Sequence, residues 1–118
     1  EAQIEFRDAR HIDVFGIKSE SETRVVQAVN VRQLRIFGHS GWASSLPGTG
    51  LYHFLDSDDF LLAGFGGFIR DRPGRERSWR RHTSTPFTDY WPVEETRHGR
   101  SIHVPPDQRP ILFQHGRP

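Results

Sequence analysis

The sequence predicts an all-β domain: a small barrel, roll or sandwich of six to eight short strands with long loops. Apolar and polar residues alternate along the first half of the chain, which is typical of half-buried strands. β-branched residues are frequent in this half, and Gly and Pro interrupt the chain at short intervals. A chain of 118 residues has the size of one domain with one core, so we expect residues 1–118 to fold as a single domain.

The first strands are predicted by alternation. Ile4 and Phe6 are separated by a polar residue, as are Ile12 and Val14, which predicts two short strands. Residues 23–37 are rich in Val and Ile and favour one long or bulged strand. A helix over residues 21–33, packed on a sheet, is the alternative and would make the fold α+β.

The middle of the chain predicts a loop followed by a hairpin. Residues 38–50 contain four Gly, three Ser and one Pro, a composition typical of an irregular loop. Residues 51–55 and 60–69 are apolar segments on either side of a turn-like sequence, and the second segment is the predicted centre of the core. Glycines within that segment indicate a bulge or a close approach of another backbone or a ligand.

The second half predicts an irregular Arg- and Pro-rich excursion at about residues 70–95, where Pro73, Pro86 and Pro92 oppose a regular helix or a central strand. Two short strands are expected after it, at residues 101–104 and 111–114. No internal repeat of fixed period is evident in the sequence.

Composition excludes several classes of protein. The chain has no Cys, which excludes a disulfide framework, a thiolate zinc site and a Cys nucleophile. No apolar run reaches the length of a membrane span, so we expect no membrane partner. Residues 1–69 hold six basic and nine acidic side chains, whereas residues 70–118 hold ten Arg and six acidic side chains. The acidic first half and basic second half indicate a polyanion as partner, either a nucleic acid or an acidic protein surface.

Residues 70–81 carry the densest signal, with six Arg and two acidic residues around one Trp. Guanidinium groups neutralise phosphates and an indole stacks on bases, so this segment predicts binding of RNA or single-stranded DNA. The predicted nucleic-acid-binding residues are Arg70, Arg72, Arg75, Arg77, Trp79, Arg80 and Arg81. The alternative is a solvated loop whose charges are partly neutralised by neighbouring acidic residues.

The segment that follows adds groups suited to metal-independent cleavage of RNA. Such a reaction needs a base, an acid and cations for the phosphorane. The candidate catalytic residues are His82, His98, His103 and Tyr90, and they suggest a small ribonuclease of the toxin kind. The alternative is that the aromatic residues near position 90 anchor a loop to the domain.

Other readings predict different partners. A non-catalytic β module would bind a protein or a carbohydrate through Trp42, Trp79 and Trp91, with Arg side chains meeting acidic groups. A third hypothesis is an enzyme with its ligand inside a barrel, entered past glycines 64–67. The seven His show no short paired spacing, so we predict no metal site, and no cofactor motif is present.

Overall fold

A computed structural model describes residues 2–20, 22–41, 43–65, 89–105 and 112–118. These residues form nine strands. In chain order the strands are β1 (Ala2–Arg7), β2 (Arg10–Lys18), β3 (Arg24–Val29), β4 (Arg32–Ser40), β5 (Gly50–Leu55), β6 (Asp58–Phe65), β7 (Trp91–Arg97), β8 (Arg100–His103) and β9 (Leu112–His115). Within the described ranges there is no helix, and therefore none long and apolar enough to span a membrane.

The strands form two open sheets that the chain visits alternately. The first sheet has the order β1-β3-β5-β7-β8 and the second has the order β2-β4-β6-β9. All neighbouring strands up to β7 in the first sheet and up to β6 in the second are parallel. Only the last strands, β8 and β9, pair antiparallel. Each turn of the chain therefore adds one parallel strand to each sheet, as in a β-solenoid.

The spacing of paired residues is the same in both sheets. Partners in the β1–β3 and β2–β4 pairs are 22 positions apart, and partners in the β3–β5 and β4–β6 pairs are 26 positions apart. Examples are Ala2 with Arg24, Arg10 with Arg32, Val26 with Tyr52 and Arg32 with Asp58. Successive coils thus stack in register, and the 26-residue coil contains an insertion of four residues.

Left-handed backbone positions recur at the same spacing. Gly16, Gly38 and Gly64 have φ values of 70°, 83° and 72°. They lie in β2, β4 and β6, the three parallel strands of the second sheet. The chain packs closely there, since a Cβ on Gly64 would lie 3.4 Å from the backbone of Gly38. Only glycine adopts this conformation without steric cost. The structure therefore shows a repeat whose spacing changes from coil to coil, which a search for a fixed period does not find.

The turn from each first-sheet strand to the next second-sheet strand contains two residues: 8–9, 30–31 and 56–57. Its first residue, Asp8, Asn30 or Asp56, is left-handed, with φ between 44° and 51°. Backbone bonds continue across this short corner, because the Asp8 N–H donates to Val29 and the Asn30 N–H to Leu55. The Asn30 side chain also donates to Asp8 Oδ1 at 2.6 Å. Short polar side chains tolerate this conformation and bond locally, which explains the Asp and Asn at each corner.

The core lies between the two sheets. Val26 and Tyr52 project inward from the first sheet, and Leu34 and Ile36 from the second, all with 0% exposure. At its centre the ring of Phe54 stacks on Phe60 with centroids 3.9 Å apart. This packed core fills the space in which a ligand inside a barrel was expected.

The sequence identified the fold class and missed the pairing of strands. The described residues are all-β, as predicted. They form two open sheets with nine strands in total, which is more than the six to eight expected and is not a clear barrel. The alternative helix over residues 21–33 is wrong, because β3, a two-residue corner and the start of β4 occupy this stretch from residue 24 onward. The predicted hairpin is also wrong: β5 and β6 lie in different sheets and do not pair. The predicted excursion at 70–95 lies largely outside the described residues, and β7 begins within it at Trp91.

The short corner provides a stability test. We expect Asn30→Ala to lower the free energy of unfolding by about 2 kcal/mol, because it loses a side-chain hydrogen bond and places a Cβ at positive φ. Asn30→Gly loses the same bond but tolerates the backbone conformation, so it should cost about 1 kcal/mol less. Urea denaturation measures both variants. Equal losses would contradict the conformational role of this position.

Candidate functional site

Insertions into the coils are confined to one corner. The chain returns from the second sheet to the first through residues 19–23, then 41–49, then 66–90, which are five, nine and 25 residues. The opposite corner keeps two residues in every coil. In repeat proteins, insertions that map to one face often mark the binding face. We call this side of the molecule the loop corner.

A row of polar side chains crosses the outer face of the first sheet beside the loop corner. Its members occupy paired positions on five neighbouring strands and therefore share one face of the sheet. They are Glu5, Gln27, His53, Glu94 and His103. We call this set the polar row.

Three charged or polar groups meet at the centre of the polar row. Arg24 Nη1 lies 3.0 Å from His53 Nδ1, and Arg24 Nη2 lies 3.4 Å from Glu94 Oε2. The three side chains are only 11–14% exposed. The Gly50 N–H donates to Glu94 Oε2 at 2.9 Å, and Arg24 Nε donates to the Gly50 carbonyl at 2.9 Å. These bonds hold the cluster rigidly between β3, β5 and β7.

The hydrogen bonds assign the tautomer of His53. A guanidinium group only donates, so His53 Nδ1 accepts from Arg24 and the ring proton sits on Nε2. His53 Nε2 then donates to Thr96 Oγ1 at 2.8 Å, and Thr96 lies 2.7 Å from Ser101 Oγ. A chain of hydrogen bonds therefore leads from Arg24, inside the cluster, to hydroxyl groups at the surface.

Burial keeps His53 neutral. Loss of hydration lowers its pKa, the neighbouring Arg24 lowers it further, and Glu94 opposes both effects. Burial also lowers the pKa of Arg24, although Glu94 counteracts this shift. At neutral pH the cluster thus holds one guanidinium, one carboxylate and one uncharged imidazole.

A pocket of about 330 Å³ lies at the loop corner next to this cluster. Its lining combines the hydroxyl groups of Thr23, Ser45 and Thr49 with the guanidinium of Arg24 and the apolar side chain of Leu46. Leu46 is 62% exposed. Residues of two different insertions build the pocket, and Arg24 connects it to the polar row.

An aromatic pair ends the polar row. The indole of Trp91, at the start of β7, stacks on the His103 ring with centroids 3.9 Å apart and planes inclined by 14°. The backbone N–H of Trp91 donates to the Thr49 carbonyl at 3.0 Å, which fixes the start of β7 to the loop corner. Polar groups, a pocket and an aromatic surface therefore lie side by side on one face.

The sequence-predicted catalytic residues occupy separate environments. His103 lies in the polar row. Tyr90 is buried, and its hydroxyl donates to the Ala43 carbonyl at 3.3 Å, so it anchors the segment before β7. His98 lies in the β7–β8 turn, where its backbone N–H donates to Asp56 Oδ1. His82 lies outside the described residues.

All seven predicted nucleic-acid-binding residues lie outside the described residues as well. They are Arg70, Arg72, Arg75, Arg77, Trp79, Arg80 and Arg81. Trp42 is also outside them. In the described ranges no group of three or more His, Asp or Glu side chains is arranged to hold a metal ion.

The central cluster was missed because its members are far apart in sequence. Arg24, His53 and Glu94 are 29 and 41 positions apart and meet only through the registers of three strands. The recurring motif of Asp or Asn followed eight residues later by Gly, at 8–16, 30–38 and 56–64, would have revealed the coils. Aligning the coils places Gln27 beside His53.

Comparison with known protein families, curated proteins and solved structures finds no match to this chain. We therefore describe the class of protein from its fold and its candidate site alone. The described residues form a short β-solenoid whose variable loops emerge beside a polar outer face.

Gly50 keeps the cluster in place. A Cβ on this residue would overlap Glu94 Cβ and the Glu94 backbone. We therefore expect Gly50→Ala to displace Glu94, to lower the free energy of unfolding by about 1–3 kcal/mol and to shift the NMR signals of the His53 ring. Gly48→Ala is the control, because its Cβ would meet open space and only its φ of 69° is strained. If the His53 ring signals stay unchanged in Gly50→Ala, the packing argument fails.

Acidic pH should destabilise the fold. Burial lowers the pKa of His39 to about 4, and the pKa of His53 is lowered as well, so the unfolded chain takes up protons more readily than the native state. The free energy of unfolding should then fall as pH drops from about 6.5 to about 4, with His39 contributing up to about 3 kcal/mol.

Urea denaturation between pH 7.5 and pH 4.5 measures this loss. His39→Gln should reduce the pH dependence, whereas His11→Asn, which removes an exposed histidine on β2, should preserve it. A wild-type stability that does not change over this range would contradict the assignment of two neutral buried imidazoles.

Proposed function

We propose that the polar row and the loop corner bind a carbohydrate. The observation that carries this proposal is that every insertion into the coils emerges at one corner, beside a face with preorganised polar groups. Loops carry binding residues on rigid scaffolds, and extended solenoid surfaces suit polymeric ligands. The five strands of the row span about 19 Å at 4.8 Å per strand, a length suited to several sugar units.

The chemistry of the face fits hydroxyl-rich ligands. Sugar hydroxyls donate and accept hydrogen bonds, and the face offers carboxylate and amide acceptors together with guanidinium, amide and hydroxyl donors. Trp91 supplies an amphipathic ring beside these groups, and aromatic anchors contribute strongly to binding. Because the cluster is already hydrogen-bonded and only 11–14% exposed, little side-chain entropy remains to be lost on binding.

Charge favours an acidic carbohydrate. The Arg-rich residues 70–81 belong to the longest insertion, which is joined to β6 and β7 at the loop corner. Arg side chains bind carboxylates through two parallel hydrogen bonds. We propose that these arginines meet the acidic groups of a chain whose sugar rings lie along the polar row.

Binding of RNA or single-stranded DNA is the second candidate. The same insertion supplies the arginines, and Trp91 offers a stacking surface for a base. Cleavage by His82, His98, His103 and Tyr90 stays a prediction of the sequence, as does an acidic protein surface as partner. A polysaccharide is rich in hydroxyl groups, whereas a nucleic acid carries a phosphate on every nucleotide. A binding assay with both kinds of ligand therefore distinguishes the two candidate functions.

Affinity electrophoresis with three ligands separates the candidates. We expect retardation by an acidic polysaccharide, weaker retardation by a neutral polysaccharide and none by single-stranded RNA at physiological ionic strength. Strong RNA binding that weakens steeply with salt would favour the nucleic-acid candidate. Absence of binding to either polysaccharide would contradict the carbohydrate proposal.

Trp91→Ala tests where the polysaccharide binds. Loss of the indole should weaken binding about tenfold or more, as expected for an aromatic anchor. Phe15→Ala is the matched control, because Phe15 is a 74% exposed aromatic residue on the second sheet, stacked on Phe37. Both variants should keep the wild-type circular dichroism spectrum. Equal losses in the two variants would place the binding site elsewhere.

A further inference from the structure

A cavity of about 680 Å³ opens where the last strands complete the two sheets. We call it the terminal cavity. Its walls come from β7, the β7–β8 turn, β8 and β9. The lining residues are Glu95, Arg97, His98, Arg100, Ile102 and His115. The cavity thus combines two guanidinium groups, two imidazoles and one carboxylate with one apolar wall, and it is separate from the polar row.

Glu95 is an unusual member of an inward row. Its partners on the preceding strands are Phe54, Ala28 and Phe6, all apolar, yet the Glu95 side chain is only 8% exposed. A carboxylate withdrawn from water costs free energy unless it is paired. Apolar side chains of similar volume often stabilise such positions as well or better, so stability alone does not explain this acid.

The paired partners of Glu95 form a rigid frame. Arg97 Nη2 donates to Glu95 Oε1 at 3.1 Å, and Arg97 Nη1 donates to Asp58 Oδ1 at 2.7 Å. The hydrogen bond from Arg97 lowers the pKa of Asp58 and keeps that carboxylate ionised. His115 Nδ1 lies 3.1 Å from Glu95 Oε1, and its ring also packs on Phe60. These contacts of Arg97 and His115 therefore fix two walls of the terminal cavity.

Arg100 and His98 remain available to a ligand. Among the described residues, no carboxylate lies within salt-bridge distance of either side chain, whereas Arg97 and His115 are each paired with two. The single positive charge of Arg97 balances part of the negative charge of Glu95 and Asp58. Arg100 supplies a cation at the cavity wall that pairs with no carboxylate of the described residues. Ile102 beside it is 62% exposed, which leaves an apolar surface next to the cation.

We propose that the terminal cavity binds a small organic phosphate. The phosphate oxygens accept hydrogen bonds from Arg100 and His98, and the organic part contacts Ile102. Arginine matches phosphate geometry through two parallel hydrogen bonds. The cavity volume lies in the range of small-molecule sites, where a few fixed polar groups and an apolar surface define the ligand.

Titration calorimetry with phenyl phosphate and inorganic phosphate tests the proposal. We expect phenyl phosphate to bind more tightly, because only it contacts Ile102. Arg100→Ala should weaken both ligands about tenfold or more, since it removes charge-assisted hydrogen bonds. Ile102→Ala should weaken phenyl phosphate and leave inorganic phosphate unchanged.

Arg10→Ala is the matched control, because Arg10 is an exposed arginine on β2 at the other end of the sheets, and this variant should bind like the wild type. Trp91→Ala should also bind phosphate normally, which separates this site from the carbohydrate face. Equal losses in Arg10→Ala and Arg100→Ala would show unspecific charge attraction and overturn the proposal. No binding of phenyl phosphate by the wild type at millimolar concentration would overturn it too.

Discussion

In-register parallel stacking of the coils is the constraint on which the rest of the structure depends. Each strand must meet the hydrogen-bonding groups of the strand in the previous coil, so the path between the sheets has little freedom at the short corner. Two residues make this turn in each coil, and the first adopts a left-handed conformation that Asp and Asn tolerate. The bonds between Asn30 and Asp8 and between His98 and Asp56 join successive turns. A change of length by one residue at this corner would shift every side chain of the following strand to the opposite face.

The loop corner has the freedom that the short corner lacks. An insertion there leaves both flanking strands in register, because the chain returns to the same edge whatever the loop length. The extra residues of the second coil lie there, and the chain also leaves β6 and enters β7 at this corner. Additional length in a surface loop costs little closure entropy. Variation therefore accumulates beside the outer face of the first sheet, where Arg24 and Gly50 connect a pocket to the polar row.

The sequence predicted the positions of the strands better than the pairing between strands. Alternation in Ile4 and Phe6 and in Ile12 and Val14 identified β1 and β2, because that pattern is local. Pairing is not local: β5 and β6 follow one another like a hairpin, yet each pairs with a strand one coil away. The two-residue corner at 56–57 resembles a hairpin turn in composition, since Asp and Ser favour both. The recurrence of Gly16, Gly38 and Gly64 distinguishes the two arrangements, but it becomes evident only when coils of 22 and 26 residues are compared.

Candidate sites were harder to predict for the same reason. The sequence drew attention to residues 70–81 because their charges are contiguous, whereas Arg24, His53 and Glu94 are isolated in three separate strands. Of the predicted catalytic residues, His103 lies in the polar row, His98 lies in the β7–β8 turn, and Tyr90 is buried. Spacing along the chain gives no measure of distance in a solenoid, where positions 22, 26 or 41 residues apart are neighbours.

The stacking of equivalent residues makes two groups of charged side chains stand out, one around Glu95 and one around Arg24 and Glu94. In a solenoid, each residue packs against the equivalent residue of the next coil, so a row stabilises the fold most simply when all its members are apolar. The inward row of Phe6, Ala28 and Phe54 follows this rule until Glu95. The polar row on the outer face is polar throughout, and the mostly buried Arg24, His53 and Glu94 meet at its centre. In both places the charged groups are withdrawn from water and held by several hydrogen bonds. Electrostatic interactions are stronger in such surroundings than at an exposed surface. We therefore assign the proposed carbohydrate and phosphate sites to these two groups of withdrawn charge.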